Sequence, residues 1–232
     1  MSDNELSIVL ASELERPSVM DALPSDFNRA RFIQNTVALV QENEQLSRMP
    51  QAKLVPALMK GAYLGLDFFN KECYAIPYGQ QVQFARSYTG MVKLAKRFSK
   101  RPLIDIYAHI VRDGDEFESG VEDGREFVNF KPKPFNDGPI IGAFAVAQYA
   151  DGGIKVEVMS KTQLDAVKRM SKAQSGTAWK FFADEMYRKS VIRRLCKGID
   201  LDMENVEQAR VMQAEDVQEA EVTEVDNPFG DE

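Results

Sequence analysis

The chain has 232 residues, 44% of them hydrophobic, which is enough for one sizeable hydrophobic core and a tail. Its formal net charge is −7, which excludes a uniformly basic nucleic-acid binder. The longest apolar stretch, from Ile140 to Ala147, is far shorter than the roughly 20 residues of a membrane-spanning helix. Asp3 and Glu5 stand where a signal peptide carries lysines. We therefore expect a cytoplasmic protein.

The first predicted elements are two helices. Residues 1–20 have no strong hydrophobic period and are expected to form a mobile arm. Ser25 is suited to be an N-cap, and apolar residues then recur at spacings of three and four, which predicts an amphipathic helix to about Leu46. A second helix is predicted from about Gln51 to Gly65, because glycine readily adopts the left-handed conformation that ends a helix. Together they predict an N-terminal helical lobe.

A β-hairpin and a small sheet are predicted next. Alternating apolar and polar residues over 72–78 and 82–88 flank a short loop that contains Gly79, which predicts the hairpin. The hairpin leads into a basic amphipathic helix over 89–99. Turns rich in Asp and Gly separate four further predicted strands: 103–112, 125–131, 140–149 and 154–159. Strands joined by short turns pair in antiparallel fashion.

The C-terminal third is predicted to be helical and then acidic. Ser160 is suited to cap a helix over 161–170, and a long helix over 178–197 follows a polar loop. Residues 202–232 carry eleven acidic side chains and one basic one, whereas the first 201 residues hold 28 basic and 25 acidic ones. We expect this tail to be too acidic to join the core, although its first part predicts a helix as far as about Glu221.

These elements predict an α+β fold in three parts. The parts are a mobile arm at 1–20, a folded core at 21–201, and an acidic, flexible tail at 202–232. The core would combine the helical lobe, the hairpin, a small antiparallel sheet packed with helices, and a long C-terminal basic helix. A mildly basic core with an acidic tail is common in DNA-binding proteins, because the tail can compete with nucleic acid for the same surface. A tail that only raises solubility is the alternative.

The stretch over 82–97 combines a strand end, a glycine and a basic helix. Gly90 lets the chain turn or approach another segment closely. The helix keeps an apolar stripe on one side and leaves its cations on the other. This pattern fits a nucleic-acid groove, and a solvated basic helix face is the alternative. The side chains that it would offer to a nucleic acid are Gln83, Arg86, Tyr88, Lys93 and Arg97.

The predicted last helix carries a second pattern. At 100° per residue, one stripe begins aromatic and ends cationic, while an adjacent apolar stripe belongs to the core. Such a surface holds bases by stacking and phosphates by charge. Its cations repel one another unless an anion or carboxylates lie opposite, whereas its tryptophan is also typical of a packed core anchor. The mixed stripe consists of Trp179, Phe182, Met186, Lys189, Arg193 and Lys197.

Several sequence blocks occur in a fixed order from about residue 50 to residue 197. They are Leu64-Gly65-Leu66-Asp67; Cys73-Tyr74-Ala75-Ile76-Pro77-Tyr78; Gln83; Tyr88-x-Gly90-x-x-x-Leu94-Ala95; Val111-Arg112-x-Gly114-Asp115-x-Phe117; Ser171-Lys172-Ala173; Trp179; and Glu185-Met186-x-x-Lys189-x-x-x-Arg193-Arg194-Leu195. In order and approximate spacing, these blocks resemble the RecT family of phage single-strand annealing proteins, also called recombinases. Any single block would be a weak match.

The resemblance implies ATP-independent binding of single-stranded DNA and annealing of complementary strands in phage-type homologous recombination, without catalysis. It implies an oligomer, either a ring or a helical filament, that holds the DNA backbone and leaves the bases able to pair. Residues 21–201 would form the DNA-binding and annealing core. The residues expected to contact DNA are Gln83, Arg86, Tyr88, Lys93, Arg97, Arg112, Lys172, Trp179, Lys189, Arg193, Arg194 and Lys197.

The same resemblance implies partners and a location. The chain would act on single strands and on the nascent duplex, together with a cognate exonuclease and a host single-strand-binding protein. It would be encoded by a phage or prophage and work in the cytoplasm of the bacterial host. No cofactor is expected, and magnesium would influence annealing only through the DNA.

Two other functions stay open on the sequence alone. Asp113, Asp115 and Glu116 could gather magnesium for a nuclease, although such a sequence between strands is usually a turn. A protein that only protects single strands is the second alternative. The sequence has no G-x-x-x-x-G-K-[ST] motif, which excludes a P-loop recombinase. Cys73 and Cys196 are far apart, so they encode neither a zinc site nor a disulfide framework, and both are expected to be buried.

Overall fold

The computed structural model describes residues 3–171 and 174–221, with side chains described for residues 5–171 and 174–214. The fold is mixed α+β, as the sequence predicts, with ten helices and three small antiparallel sheets in the described ranges. The chain forms two compact units. The first unit contains Met1–Met91 and Met203–Ala220, and the second contains Val92–Asp202.

The elements follow one another in chain order. The first unit contains α1 (Asp3–Leu14), α2 (Pro17–Met20), α3 (Arg29–Glu42), α4 (Glu44–Ser47), α5 (Gln51–Leu64), β1 (Cys73–Tyr78), β2 (Gln81–Arg86) and the start of α6 (Tyr88–Phe98). The second contains β3 (Leu103–Arg112), β4 (Glu116–Glu122), β5 (Arg125–Lys131), β6 (Ile140–Tyr149), β7 (Ile154–Ser160), α7 (Lys161–Met170), α8 (Thr177–Phe181) and α9 (Ala183–Lys197). The chain then returns to the first unit with α10 (Val206–Glu221).

The N-terminal residues differ from the expected mobile arm. They form α1, in which Leu6, Leu10 and Leu14 are buried and the helix packs against α3. The buried stripe is narrow, and the exposed Ile8 lies off it. The sequence therefore shows no strong period, although every fourth residue is a core leucine.

Asparagine caps set the bounds of the next helices. α3 begins after Asn28 rather than at Ser25, because the Asn28 side chain accepts a hydrogen bond from the Arg31 backbone N–H at 3.0 Å. Asn43 ends α3 and caps the short α4, so the single helix predicted here is two. α5 ends at Leu64, and the following Gly65 caps it with a φ of 64°, the left-handed conformation that the sequence predicts.

The hairpin and α6 meet through a close backbone contact. β1 and β2 pair in antiparallel fashion, with Cys73 opposite Arg86. Ser87 donates its N–H to Glu72 O at 3.0 Å, and its hydroxyl accepts the Gly90 N–H at 3.1 Å at the start of α6. A Cβ atom on Gly90 would lie only 2.0 Å from Glu72 O. This approach therefore requires glycine.

The main sheet of the second unit has the strand order β3-β6-β7, and both pairs are antiparallel. Its strands lie close to the predicted ranges. β4 lies outside the predicted strands and pairs with β5 in a separate hairpin. The turn between them is Asp123-Gly124, with φ values of 50° and 75°, the two-residue turn that an Asp-Gly pair favours. The sequence thus contains the signal for this hairpin.

β6 separates two packing layers, because its side chains alternate between the faces of the sheet. On one face the Phe144 ring lies 5.1 Å from the rings of Phe117 and Phe130 in the β4–β5 hairpin. On the other face, small side chains let α9 pack closely on the sheet. These buried residues are Ala143, Ala145 and Ala147.

The helix predicted over 178–197 is two helices. Phe182 leaves the helical conformation, with φ −126° and ψ 39°, and separates α8 from α9. No glycine or proline lies between Thr177 and Lys197, so the local sequence does not mark this break. Trp179 and the cations of α9 therefore do not share one helical stripe, which corrects the prediction.

The start of the acidic tail joins the first unit. α10 lies in the range predicted for a tail helix, but its residues Gln208 and Val211 are buried. Asn205 fastens the start of α10, since its side chain donates to Ala22 O at 3.1 Å and accepts the Gln208 N–H at 3.0 Å. The structure thus differs from the expectation that no part of the tail joins the core. Residues 222–232 lie outside the described residues.

Two further observations concern the cysteines and the helices. Cys73 and Cys196 are buried and free, as the sequence predicts. Within residues 3–171 and 174–221, no helix combines the length and apolar character that a membrane crossing requires.

Candidate nucleic-acid interface

A polar cluster fastens α7 to α9. α7 begins at Ser160, which forms the predicted cap and a reciprocal capping box with Gln163. Asp165 accepts hydrogen bonds from Lys161 Nζ at 2.6 Å and from the Tyr187 hydroxyl at 2.7 Å. The hydrogen bond from Lys161 lowers the pKa of Asp165 against the opposing effect of burial. The carboxylate therefore stays ionised and holds the two helices together.

Trp179 belongs to the core of this helical layer, and only 1% of its surface is exposed. Its Nε1–H donates to Ser171 Oγ at 3.3 Å, and its ring lies edge-on to Tyr187 at 5.6 Å. Too little of the ring is exposed for a base to stack on it. The stacking role expected for Trp179 is therefore corrected, and the residue is a packed anchor.

Two exposed aromatic rings follow Trp179 in the chain. Phe181 is 66% exposed and Phe182 is 59% exposed, and Lys180 Nζ lies 5.2 Å from the centre of the Phe181 ring. The apolar stripe of the predicted last helix, with Phe181, Val191, Ile192 and Leu195, assigns Phe181 to the core. This is wrong for Phe181, because α8 ends before the stripes of α9 begin. Exposed aromatic rings beside cations are the side chains on which bases stack.

The α7–α9 region is strongly basic, although the whole chain is acidic. Between Lys161 and Lys197 the sequence has ten basic and three acidic residues. Lys189, Arg193 and Lys197 recur every four residues along α9 and form its cation row. The first two are half-buried and Lys197 is exposed. Arg194 is exposed beside this row and pairs with a glutamate of β7 at 2.9 Å. A row of this kind suits an extended phosphate backbone.

Two of the arginines expected to contact DNA are engaged within the fold. Arg86 is 3% exposed, and its Nη1 lies 2.9 Å from Met212 Sδ on α10. Arg112 donates to Gly138 O at 2.8 Å and forms an ion pair with Asp184. Arg86 is buried and Arg112 is half-buried, and each guanidinium group has a partner within the fold. Contact of Arg86 and Arg112 with DNA stays a prediction, and neither guanidinium group carries the α7–α9 interface.

The other predicted contact residues are distributed over both units. Half-buried positions are occupied by Gln83 and Tyr88 in the first unit and by Lys93 and Arg97 in the second. Lys172 lies outside the described residues. Contact between these residues and DNA stays a prediction.

Asp115, one of the three candidate magnesium ligands, holds a turn together by hydrogen bonds. It accepts the backbone N–H groups of Arg112 and Lys133 at 2.8 and 3.0 Å, and Asn136 Nδ2 at 2.7 Å. Burial acts to raise the pKa of Asp115, but these hydrogen bonds outweigh it and lower the pKa. Among the residues that the structure describes, no group of three or more His, Cys, Asp or Glu is placed to hold a metal ion. The geometry thus gives the nuclease alternative no support.

A helical layer with a cation row and exposed aromatic rings is typical of a nucleic-acid-binding protein. The model of the RecT family matches residues 30–228 of this chain. The chain is 30% identical over 209 residues to Protein RecT of Escherichia coli (strain K12), an alignment that covers 83% of this chain and 76% of that protein. The chain therefore belongs to the RecT family, as its sequence blocks indicate.

Proposed function

We propose that this chain binds single-stranded DNA and anneals complementary strands in phage-type homologous recombination. Membership of the RecT family supports this function. The structural observation that carries the proposal is the basic α7–α9 surface of an otherwise acidic chain. The cation row of α9 holds the phosphate backbone, while Phe181 and Phe182 stack on bases.

Annealing requires that bound bases stay able to pair. Cations that hold an extended backbone also reduce the repulsion between two strands, and base pairing then drives the reaction without nucleotide hydrolysis. The chain acts as an oligomer, so that one groove continues over many protomers. It uses no cofactor, and magnesium acts through the DNA. Additional contacts come from Gln83, Tyr88, Lys93, Arg97, Lys172 and Arg194.

The proposed partners follow from the substrate. An exonuclease exposes the single strands, and a host single-strand-binding protein coats them before this chain does. The acidic residues beyond α10 compete with DNA for the basic surface. This competition needs direct contact, because the Debye length is about 8 Å at physiological ionic strength.

The salt dependence of binding tests the cation row. We expect Lys189→Ala, Arg193→Ala and Lys197→Ala each to reduce the log–log salt slope by about 0.7, since each removes one contact with a phosphate of single-stranded DNA. The slope is measured by fluorescence anisotropy of a labelled oligonucleotide over a series of salt concentrations, with circular dichroism to verify the fold of each variant.

Lys131→Ala is the matched control for these variants. Lys131 is exposed on β5 and pairs with Glu116 at 3.1 Å, so its replacement changes the net charge equally but should leave the salt slope unchanged. Wild-type slopes in all three folded α9 variants would contradict the phosphate role of the cation row.

A further inference from the structure

The loop between β5 and β6 presents a fully exposed aromatic ring. Phe135 is 101% exposed, and its φ of 55° lies in the left-handed region. That conformation is unfavourable for a residue with a Cβ atom and persists only where the surrounding structure imposes it. Within its own chain, the Phe135 side chain is not buried and its backbone is strained. This points to a contact with another molecule.

The Phe135 loop, residues 132–139, is fixed by hydrogen bonds rather than by packing of the ring. Asn136 donates to Asp113 O at 3.0 Å and to Asp115 Oδ1 at 2.7 Å, and it accepts the Gly138 N–H at 2.9 Å. Arg112 donates to Gly138 O, and three prolines in the loop remove further backbone freedom. The ring is therefore preorganised, which reduces the entropy lost when it docks.

The charges near the ring favour a protein partner over nucleic acid. Asp113, Glu116 and Asp137 are exposed in or beside the loop. Two basic residues lie nearby: Lys131, which pairs with Glu116, and Lys133, which belongs to the loop. Surroundings of mixed charge attract phosphates less than a basic surface does, and an aromatic ring within them is typical of the anchor in a protein–protein interface.

The first unit contains an apolar cavity that can receive such a ring. The cavity has a volume of about 720 Å³ and lies between α1, α5 and α10. Its lining also includes side chains of both charges, among them Glu13 and Lys60. We propose that Phe135 of one copy of this chain inserts into this cavity of a second copy. The apolar walls include Val55, Pro56, Met59 and Val211.

This contact joins two different surfaces of identical chains. Each copy offers a ring on its second unit and a cavity on its first, so the contact is heterologous and repeats from copy to copy into a ring or an open filament. Lys133 and Asp137, on either side of the phenylalanine, complement the side chains of both charges that line the cavity. The inference rests on the proposed function in that annealing uses an oligomer, and it names the surfaces that build that oligomer.

Two single variants test the contact from its two sides. Phe135→Asn removes the ring, and asparagine tolerates the left-handed backbone. Ala52→Glu places a charge at an exposed position of α5 that lines the cavity, where glutamate is a good helix former. We expect each variant of the full chain to keep its thermal stability and to self-associate at least about 30-fold more weakly, as for loss of an interface anchor. Sedimentation velocity measures this association.

A mixture of the two variants gives a sharper result. The Ala52→Glu chain keeps its ring, and the Phe135→Asn chain keeps its cavity. The ring of the first chain can therefore enter the cavity of the second. No further copy can add to this pair, because the remaining ring and the remaining cavity are both altered. We expect one-to-one heterodimers in the mixture and monomers of each variant alone. Val121→Thr alters another exposed apolar residue of the second unit and should assemble like the wild type.

Three outcomes would overturn this contact. They are wild-type assembly of Phe135→Asn, no heterodimer in the mixture, and a wild-type chain that stays monomeric with and without DNA. If Phe135→Asn assembles normally but binds a short oligonucleotide more weakly, the ring contacts DNA instead. Failure of the proposed function is distinguishable, because a wild-type chain would then assemble through Phe135 and yet not anneal complementary strands.

Discussion

We expect Trp179→Ala to lower the free energy of unfolding by about 3–5 kcal/mol, the range for truncation of a buried tryptophan. The ring is 1% exposed and packs against Tyr187 at 5.6 Å. The variant also loses the hydrogen bond from Nε1 to Ser171 Oγ. Because folded domains are stable by only about 5–15 kcal/mol, this loss is large. Urea unfolding followed by circular dichroism measures it.

Phe181→Ala is the matched control, since this ring lies on the same short helix and is 66% exposed. We expect its stability to stay within about 0.5 kcal/mol of the wild type. Its binding of single-stranded DNA should weaken by about 1–3 kcal/mol, the loss of one stacked base. A stable Trp179→Ala protein with weakened DNA binding would instead place Trp179 on the DNA surface.

Gly90→Ala should destabilise the protein although alanine is the better helix former. In an unobstructed helix this change stabilises by about 1 kcal/mol. Here the new Cβ atom would lie 2.0 Å from Glu72 O, a backbone atom that cannot move without shifting the hairpin. Because overpacking costs about 1–3 kcal/mol and occasionally more, we expect a net loss of stability in urea unfolding.

Gly120→Ala provides the comparison for this prediction. Its added Cβ atom would meet the edge of the Phe127 ring at 3.0 Å, and a side chain on an exposed hairpin can shift aside. The stability of this variant should therefore change less than that of Gly90→Ala. A Gly90→Ala protein at least as stable as the wild type would refute the close contact between α6 and the hairpin.

Elements with a clear period and a clear end signal could be predicted from the sequence alone. α5 ends at Leu64 because the following Gly65 adopts the left-handed conformation, and α7 begins at Ser160 because its side chain caps the helix. The main sheet was predictable for the same reason, since Asp- and Gly-rich turns separate its strands. Asp123-Gly124 is a signal of this local kind, and it would have identified β4 as well.

At the candidate site, contacts between distant residues decide what the sequence does not reveal. Arg86 resembles a surface cation in the sequence, but the Met212 that covers it lies 126 positions away. Arg112 pairs with Asp184, 72 positions away. The sequence pattern places Trp179 on a DNA-facing stripe only if one helix is continuous over 178–197, whereas Phe182 interrupts it. Tertiary packing decides these positions, and no local pattern encodes it.

The acidic composition of the tail also leads to a wrong prediction, namely that no part of the tail joins the core. Residues 202–232 are acidic on average. The first part of this segment nevertheless contributes the buried Gln208 and Val211 to the first unit. So few inward-facing residues hardly change the overall composition of the tail. The cation row of α9 is visible in the sequence itself, because a charge repeated every four residues does not depend on tertiary contacts.

Annealing without ATP is the property that defines the proposed function. The direct measurement mixes two complementary oligonucleotides with the protein, with and without ATP and magnesium, and reads duplex formation and strand length on a gel. We expect the protein to accelerate duplex formation between intact strands in every condition, and a variant with alanine at Lys189, Arg193 and Lys197 to lose most of this acceleration. Duplex formation no faster than without protein, or strands shortened in the presence of magnesium, would contradict the proposed function.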